Sequence, residues 1–110
     1  MVFYAPRRYH GFVPLRALLS REFPPAKRIA GTEYFRSGRV RIVRGGAECV
    51  EAIVRGTRAY RVLVTLENGG ISFDCTCPNF DEGYNCKHLW AVIEAAEHQG
   101  YFTTLPADEE

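Results

Sequence analysis

The apolar positions of this chain change period along its length, and each change marks an element. Leu15, Leu18, Leu19 and Glu22 recur at helical spacing. Pro14 suits a first helical position and Pro24-Pro25 stops the run, so a helix is predicted over 14–23. A second short helix is predicted from Ala26 to Phe35, with Ile29 and Tyr34 toward one side and Ser37-Gly38 at its end. From Arg39 the period becomes two. Val40 and Ile42 share a face, as do Val50, Ala52 and Val54, then Tyr60, Val62, Val64 and Leu66, then Ile71 and Phe73. Four alternating runs predict four half-buried strands. The separators Gly45-Gly46, Gly56-Thr57 and Asn68-Gly69 are turn signals, the last being the strongest hairpin cue in the chain.

Beyond the strands, Leu89, Val92, Ile93 and Ala96 form one apolar stripe of a helix predicted from Lys87 to Gln99, with Gly100 as its C-cap. The predicted architecture is α+β: a small four-stranded antiparallel β-meander with N-terminal helices and a C-terminal helix. Residues 1–23 read as an N-terminal arm and helix, 24–100 as the domain, and 101–110 as an acidic tail or linker. The opening stretch, 1–13, is aromatic without a clear period. It either packs on the domain or stays disordered.

At 110 residues there is room for one domain with a modest core. No apolar run approaches the roughly 20 residues of a membrane span. The N-terminus lacks the long apolar core of a signal peptide, so an intracellular, cytoplasmic protein is expected.

The net charge of +1 hides an asymmetry. Residues 1–61 carry 13 basic and 4 acidic side chains, a balance of +9, whereas residues 62–110 carry one lysine against nine acids, a balance of −8. Twelve of the fourteen bases are arginine, the side chain suited to bidentate phosphate contacts. A basic half points to an anionic partner such as nucleic acid, or to attraction between the halves. The meander would carry Arg39, Arg41, Arg55 and Arg61 on its outer face, with Arg58 at a turn.

The stretch from Cys75 to His88 holds a Cys-x-Cys pair, an eight-residue loop and a Cys-x-His pair. Three thiolates and one imidazole, Cys75, Cys77, Cys86 and His88, suit one tetrahedral zinc ion. Four filled positions leave none for a reactive water, which makes the ion structural and the chain no enzyme. The pairs would come from the end of the fourth strand and the start of the last helix, so the metal would pin sheet to helix. A Cys75–Cys77 disulfide would be strained by its one-residue spacing, and a Cys-His nucleophile lacks an orienting third group. Buried free thiols remain the alternative. Cys49 has no ligand-spaced partner and reads as an inert thiol. His10 and His98 read as surface residues, and Asp81-Glu82 as solvated acids. No glycine pair is followed by the Gly-Lys-Ser/Thr of a phosphate loop.

The string Cys75-Thr76-Cys77-Pro78, closing in Cys86-Lys87-His88-Leu89-Trp90-Ala91, resembles the SWIM zinc finger family. Upstream, Gly31, Tyr34, Gly38 and Val40 resemble that family's G-x-x-Y-x-x-x-G-x-V lead. Ala52, Val54, Gly56, Tyr60 and Val62 resemble its A-x-V-x-G-x-x-x-Y-x-V hairpin. The likeness covers residues 24–100 and looks most like the N-terminal region of bacterial SWI/SNF-type helicase-like ATPases. It implies a non-catalytic accessory module that binds nucleic acid, DNA in the first place, within or beside such an ATPase. Arg28, Arg36, Arg39, Arg41, Arg44, Arg55, Arg58 and Arg61 are the expected phosphate contacts. The alternative is a zinc-stabilised protein-interaction module using Tyr4, Phe12, Tyr84 or Tyr101 and the acidic tail. No membrane or small-molecule substrate is expected.

Overall fold

The computed structural model describes residues 2–4, 15–67, 70–81 and 85–101. Its chain order is β1 (Val2–Tyr4), α1 (Leu15–Leu19), a 3-10 turn (Ser20–Glu22), α2 (Pro25–Arg36), β2 (Val40–Arg44), β3 (Cys49–Arg55), β4 (Ala59–Glu67), β5 (Gly70–Cys75), α3 (Pro78–Asp81) and α4 (Lys87–His98). The Asn68-Gly69 turn, His10, Phe12, Glu82, Tyr84 and the acidic 102–110 stretch lie outside the described residues.

The predicted meander is present as β2 to β5, every neighbouring pair antiparallel. A fifth strand extends it: β1 pairs with β5, Phe3 opposite Ser72. Three residues are too few to display an alternation, so the sequence pattern gave only an arm. Side-chain parity follows the prediction. Val50, Ala52, Val54, Val62, Val64, Ile71 and Phe73 are fully buried on one face. Arg41, Arg55 and Arg61 stand exposed on the other. In β2 the register shifts between Ile42 and Arg44, so Val43 and Arg44 together oppose Glu51.

Helix α4 lies on the buried face of the sheet and touches β2, β3, β4 and β5. Its other side is covered by α2, and the helix is buried from His88 to Ala96. The predicted stripe of Leu89, Val92, Ile93 and Ala96 is thus one half of an element enclosed on both sides. Burying Leu89, Val92 and Ile93 contributes about 1.5–3 kcal/mol each. The helix ends on Gly100 at φ +82°, with the Gly100 N–H donating to the Glu97 carbonyl and the Tyr101 N–H to that of Ala96. These two bonds close a Schellman motif.

Two expectations in the N-terminal half need correction. The helix over 14–23 is shorter and tightens into the 3-10 turn, leaving Phe23 extended at φ −124°, ψ 128°. A residue before proline is driven out of the helical region. Here that sends the Phe23 ring into the core, 5.2 Å from Trp90 and 5.9 Å from Phe73 between centroids. In α2, Ile29 and Tyr34 do not share a side. Five residues advance the helix by about 140° past a full turn, so Tyr34 packs on the core while Ile29 is 69% exposed. Among the described residues no helix is long and apolar enough to cross a membrane.

Candidate metal centre

Cys75 ends β5, and Thr76 extends the ladder by one step. Its N–H donates to the Arg61 carbonyl (3.1 Å) and its hydroxyl accepts from the Arg61 N–H (3.0 Å). Thr76 is exposed, while Cys75 and Cys77 on either side of it are buried. The one-residue spacing therefore puts two sulfurs on one side of a strand end. Pro78 then turns the chain into α3, where the Phe80 N–H donates to the Cys77 sulfur at 3.4 Å. On the return, the Asn85 side-chain amide donates to the Glu22 carbonyl (2.6 Å), tying the loop to the 3-10 turn. Cys86 is the N-cap of α4 with extended backbone, and His88 lies in the first turn.

These elements bring Cys75, Cys77, Cys86 and His88 together. Their ligand atoms all lie within 4.8 Å of one another and all four residues are buried. A tetrahedral zinc with bonds of about 2.3 Å has edges of about 3.8 Å. The 4.0 Å between the Cys75 sulfur and His88 Nδ1 is close to such an edge. All four cysteines are free thiols.

The electrostatics of the cluster call for a cation. The Cys75 thiol donates to the Cys86 sulfur, which holds Cys86 down at about 4 despite its burial. That same bond, with burial added, pushes Cys75 far above the ordinary thiol range. Burial also raises Cys77, against the opposing pull of the Phe80 N–H. Three crowded sulfurs thus settle on one negative charge unless a positive ion lets all three ionise. A divalent ion supplies that charge and a tetrahedral bond set. The residues fit zinc, and the cluster is positioned to bind one zinc ion.

Around His88 the structure assembles residues whose role was invisible in the sequence. Tyr60 stacks on the imidazole at 4.5 Å and 33°, and Tyr34 meets it edge-on at 5.5 Å. Arg39 and Lys87 stand 5.2 and 4.9 Å from the Tyr34 ring centroid. A Cβ at Gly56 would come within 3.1 Å of the Tyr60 ring, 3.2 Å of the Tyr34 hydroxyl and 3.5 Å of His88 Nε2. Gly31, one turn before Tyr34, lies against Trp90. Gly31, Tyr34, Gly56 and Tyr60 of the two upstream motifs thus converge on the first turn of α4, while Gly38 stands in open space at φ +77°. Their spacing in the sequence was the available signal.

The eight arginines fall into three groups. Arg44 and Arg61 pair with Glu51 at 3.4 Å and 3.5 Å, and Arg41 lies on the same face, in register with Arg61 across Ile53. Arg39, Arg55 and Arg58 gather at one end of the β2–β3–β4 sheet, where Arg39 Nη1 donates to the Arg55 carbonyl. Arg28 and Arg36 lie on α2, with Arg28 Nε donating to the Phe23 carbonyl. Cys49 stands apart from the cluster, its sulfur 3.9 Å from the Thr65 hydroxyl. Tyr101, expected to be exposed, has its ring against Gly45.

Residues 60–97, which include all four cluster residues, match the SWIM zinc finger family. That family is a binding module. The chain is also 35% identical over 71 residues to an uncharacterized protein of Methanocaldococcus jannaschii. The aligned part is 64% of this chain and 29% of that protein, so the chain spans less than a third of that relative's length. No solved structure matches the chain.

Proposed function

We propose that this protein is a zinc-stabilised, non-catalytic module that binds nucleic acid, DNA in the first place, as part of or alongside a helicase-like ATPase of the SWI/SNF class. Cys75, Cys77 and Cys86 hold the ion through sulfur and His88 through Nδ1, joining the end of β5 to the start of α4. The arginines 39, 41, 44, 55, 58 and 61 contact phosphates from the sheet side, and 28 and 36 from α2. Such contacts position a chain on its partner without reading sequence. The observation that carries this reading is the exposed set Arg39, Arg41, Arg55, Arg58 and Arg61 on three adjacent strands and their turns, in a half of the chain with a balance of +9.

Binding of labelled duplex and single-stranded oligonucleotides at two salt concentrations tests it. The expected result is association that weakens steeply with salt. No binding at low salt overturns the reading.

A second reading, a protein-interaction module, is favoured by Val43, 53% exposed on the outer sheet face, and by Ile29 on α2. In that case changing the outer arginines to alanine leaves partner binding intact.

A further inference from the structure

We propose that a cleft beside the zinc cluster seats one backbone phosphate of the bound nucleic acid, held between the ammonium groups of Lys27 and Lys87. This rests on the nucleic-acid reading above and adds to it a place outside the arginine set.

The chain has two lysines, and both line the same cleft, a space of about 370 Å³ that opens onto the cluster itself, bounded by Cys77, Cys86 and His88 and by Tyr60 and Pro78. They come from different elements, Lys27 from the first turn of α2 and Lys87 from the start of α4. Gly31 brings them together. Its missing side chain lets α2 approach until its Cα faces the Lys87 carbonyl and Trp90. Lys27, four residues earlier, projects from the same side of the helix.

Among the described residues neither ammonium meets a carboxylate. Lys87 rests near the Tyr34 ring, which orders its stem without cancelling its charge. The charge count also fits. A divalent ion with three thiolates carries −1 and two lysines carry +2, leaving +1 against the single negative charge of a phosphodiester. Lysine acts there as a compact point charge with three donors, suited to a phosphate approached from one side.

The cleft on the other side of α2 offers a contrast. Its Arg16 is engaged by Glu94 and Glu97, and its Arg28 by the Phe23 carbonyl. Of its three cations, Arg16 and Arg28 are thus already engaged, and Arg36 stands exposed at the end of α2.

The test uses the full zinc-loaded chain, a labelled oligonucleotide of mixed sequence, and the variants Lys27→Gln, Lys87→Gln and the double variant. Zinc content and chelator competition are measured on each. The double variant is expected to keep its zinc and bind roughly tenfold more weakly at low salt, with a salt slope lower by about 0.9 for duplex or 0.7 for single strand, the loss of one phosphate. Lys27→Arg with Lys87→Arg restores binding. Unchanged affinity and slope in the double variant overturn the inference while leaving the nucleic-acid reading in place. So does loss of zinc with binding retained, which makes the lysines counter-charges for the thiolates. Displacement of the oligonucleotide by micromolar mononucleotide at matched ionic strength overturns the backbone assignment. Wild-type protein that binds no oligonucleotide removes the nucleic-acid reading itself.

Discussion

Gly31 of α2 lies flat against Trp90 of α4, so that a Cβ on Gly31 would stand 2.7 Å from the Trp90 Cβ and 2.8 Å from the Lys87 carbonyl oxygen. Neither neighbour is the free end of a side chain. The two helices would have to separate, drawing Tyr34 away from His88.

Gly31→Ala is therefore expected to destabilise the zinc-loaded protein by about 1–3 kcal/mol, the usual cost of overpacking. The gain in helix propensity, about 1 kcal/mol, does not offset a clash with backbone. Denaturant unfolding of the two proteins measures the difference. Equal midpoints would mean that α2 and α4 do not meet this closely in solution.

Tyr60 bears on metal affinity through its ring. Stacked on His88, it fixes the imidazole plane, while its hydroxyl bonds Thr57 at 2.9 Å. Tyr60→Ala is expected to weaken zinc binding by about 10- to 100-fold, as loss of support behind a ligand does. Tyr60→Phe, which keeps the ring, should stay near wild type. Competition with a chromophoric chelator reads both, and equal losses in the two variants would assign the effect to the hydroxyl.

Zinc uptake is expected to release protons. In the metal-free cluster Cys86 sits at about 4 and is already ionised, held there chiefly by the Cys75 hydrogen bond. Cys75 is raised by that bond and Cys77 by burial, so both keep their protons at neutral pH. Raising the pH then favours the metal-bound form and lowering it favours the thiols. Apparent affinity should climb about a hundredfold per pH unit between about pH 7 and 8.5, the slope for two protons. A thousandfold slope would mean that the cluster comes apart without its ion. No slope would mean that binding displaces no thiol proton, which rules out ligation by protonated Cys75 and Cys77 giving up their protons.

Removing the ion with a strong chelator is expected to abolish the near-ultraviolet signal of the aromatics packed around α4. The binding free energy of a structural zinc, about 10–16 kcal/mol, is comparable to or larger than the stability of a whole domain. An unchanged spectrum would show that the core holds without metal.

The parts of this protein written in short-range pattern were legible. Cys75, Cys77, Cys86 and His88 fall within fourteen positions, and ligand chemistry tolerates few other readings of them. Strand parity was equally plain, because each of β2 to β5 repeats its alternation at least twice. What depended on distant partners was not. The pairing of Val2–Tyr4 with β5 is set by an edge some seventy residues away. Helix α4 reads as one-sided in the sequence because the side that meets α2 mixes apolar and polar residues: Trp90 lies against Gly31, Glu94 bonds Thr32 and His98 meets Phe35. Gly31, Tyr34, Gly56 and Tyr60 stood out by spacing alone, and only the packing around His88 gives the reason. Strand parity put Arg39, Arg41, Arg55 and Arg61 on the outer face of the meander, but where Arg28 and Arg36 lie relative to that face depends on how α2 packs on α4.

The last helix is fastened at its two ends by unlike means. At its start Cys86 is both N-cap and part of the cluster; at its finish Gly100 and Tyr101 fold back onto the final turn. Only the first fastening depends on an exchangeable atom. Stripping the ion would therefore make unwinding directional, beginning at Lys87 and travelling toward Gln99. Amide exchange along α4 should accelerate from that end first, so the helix would record metal occupancy as a gradient along its own length.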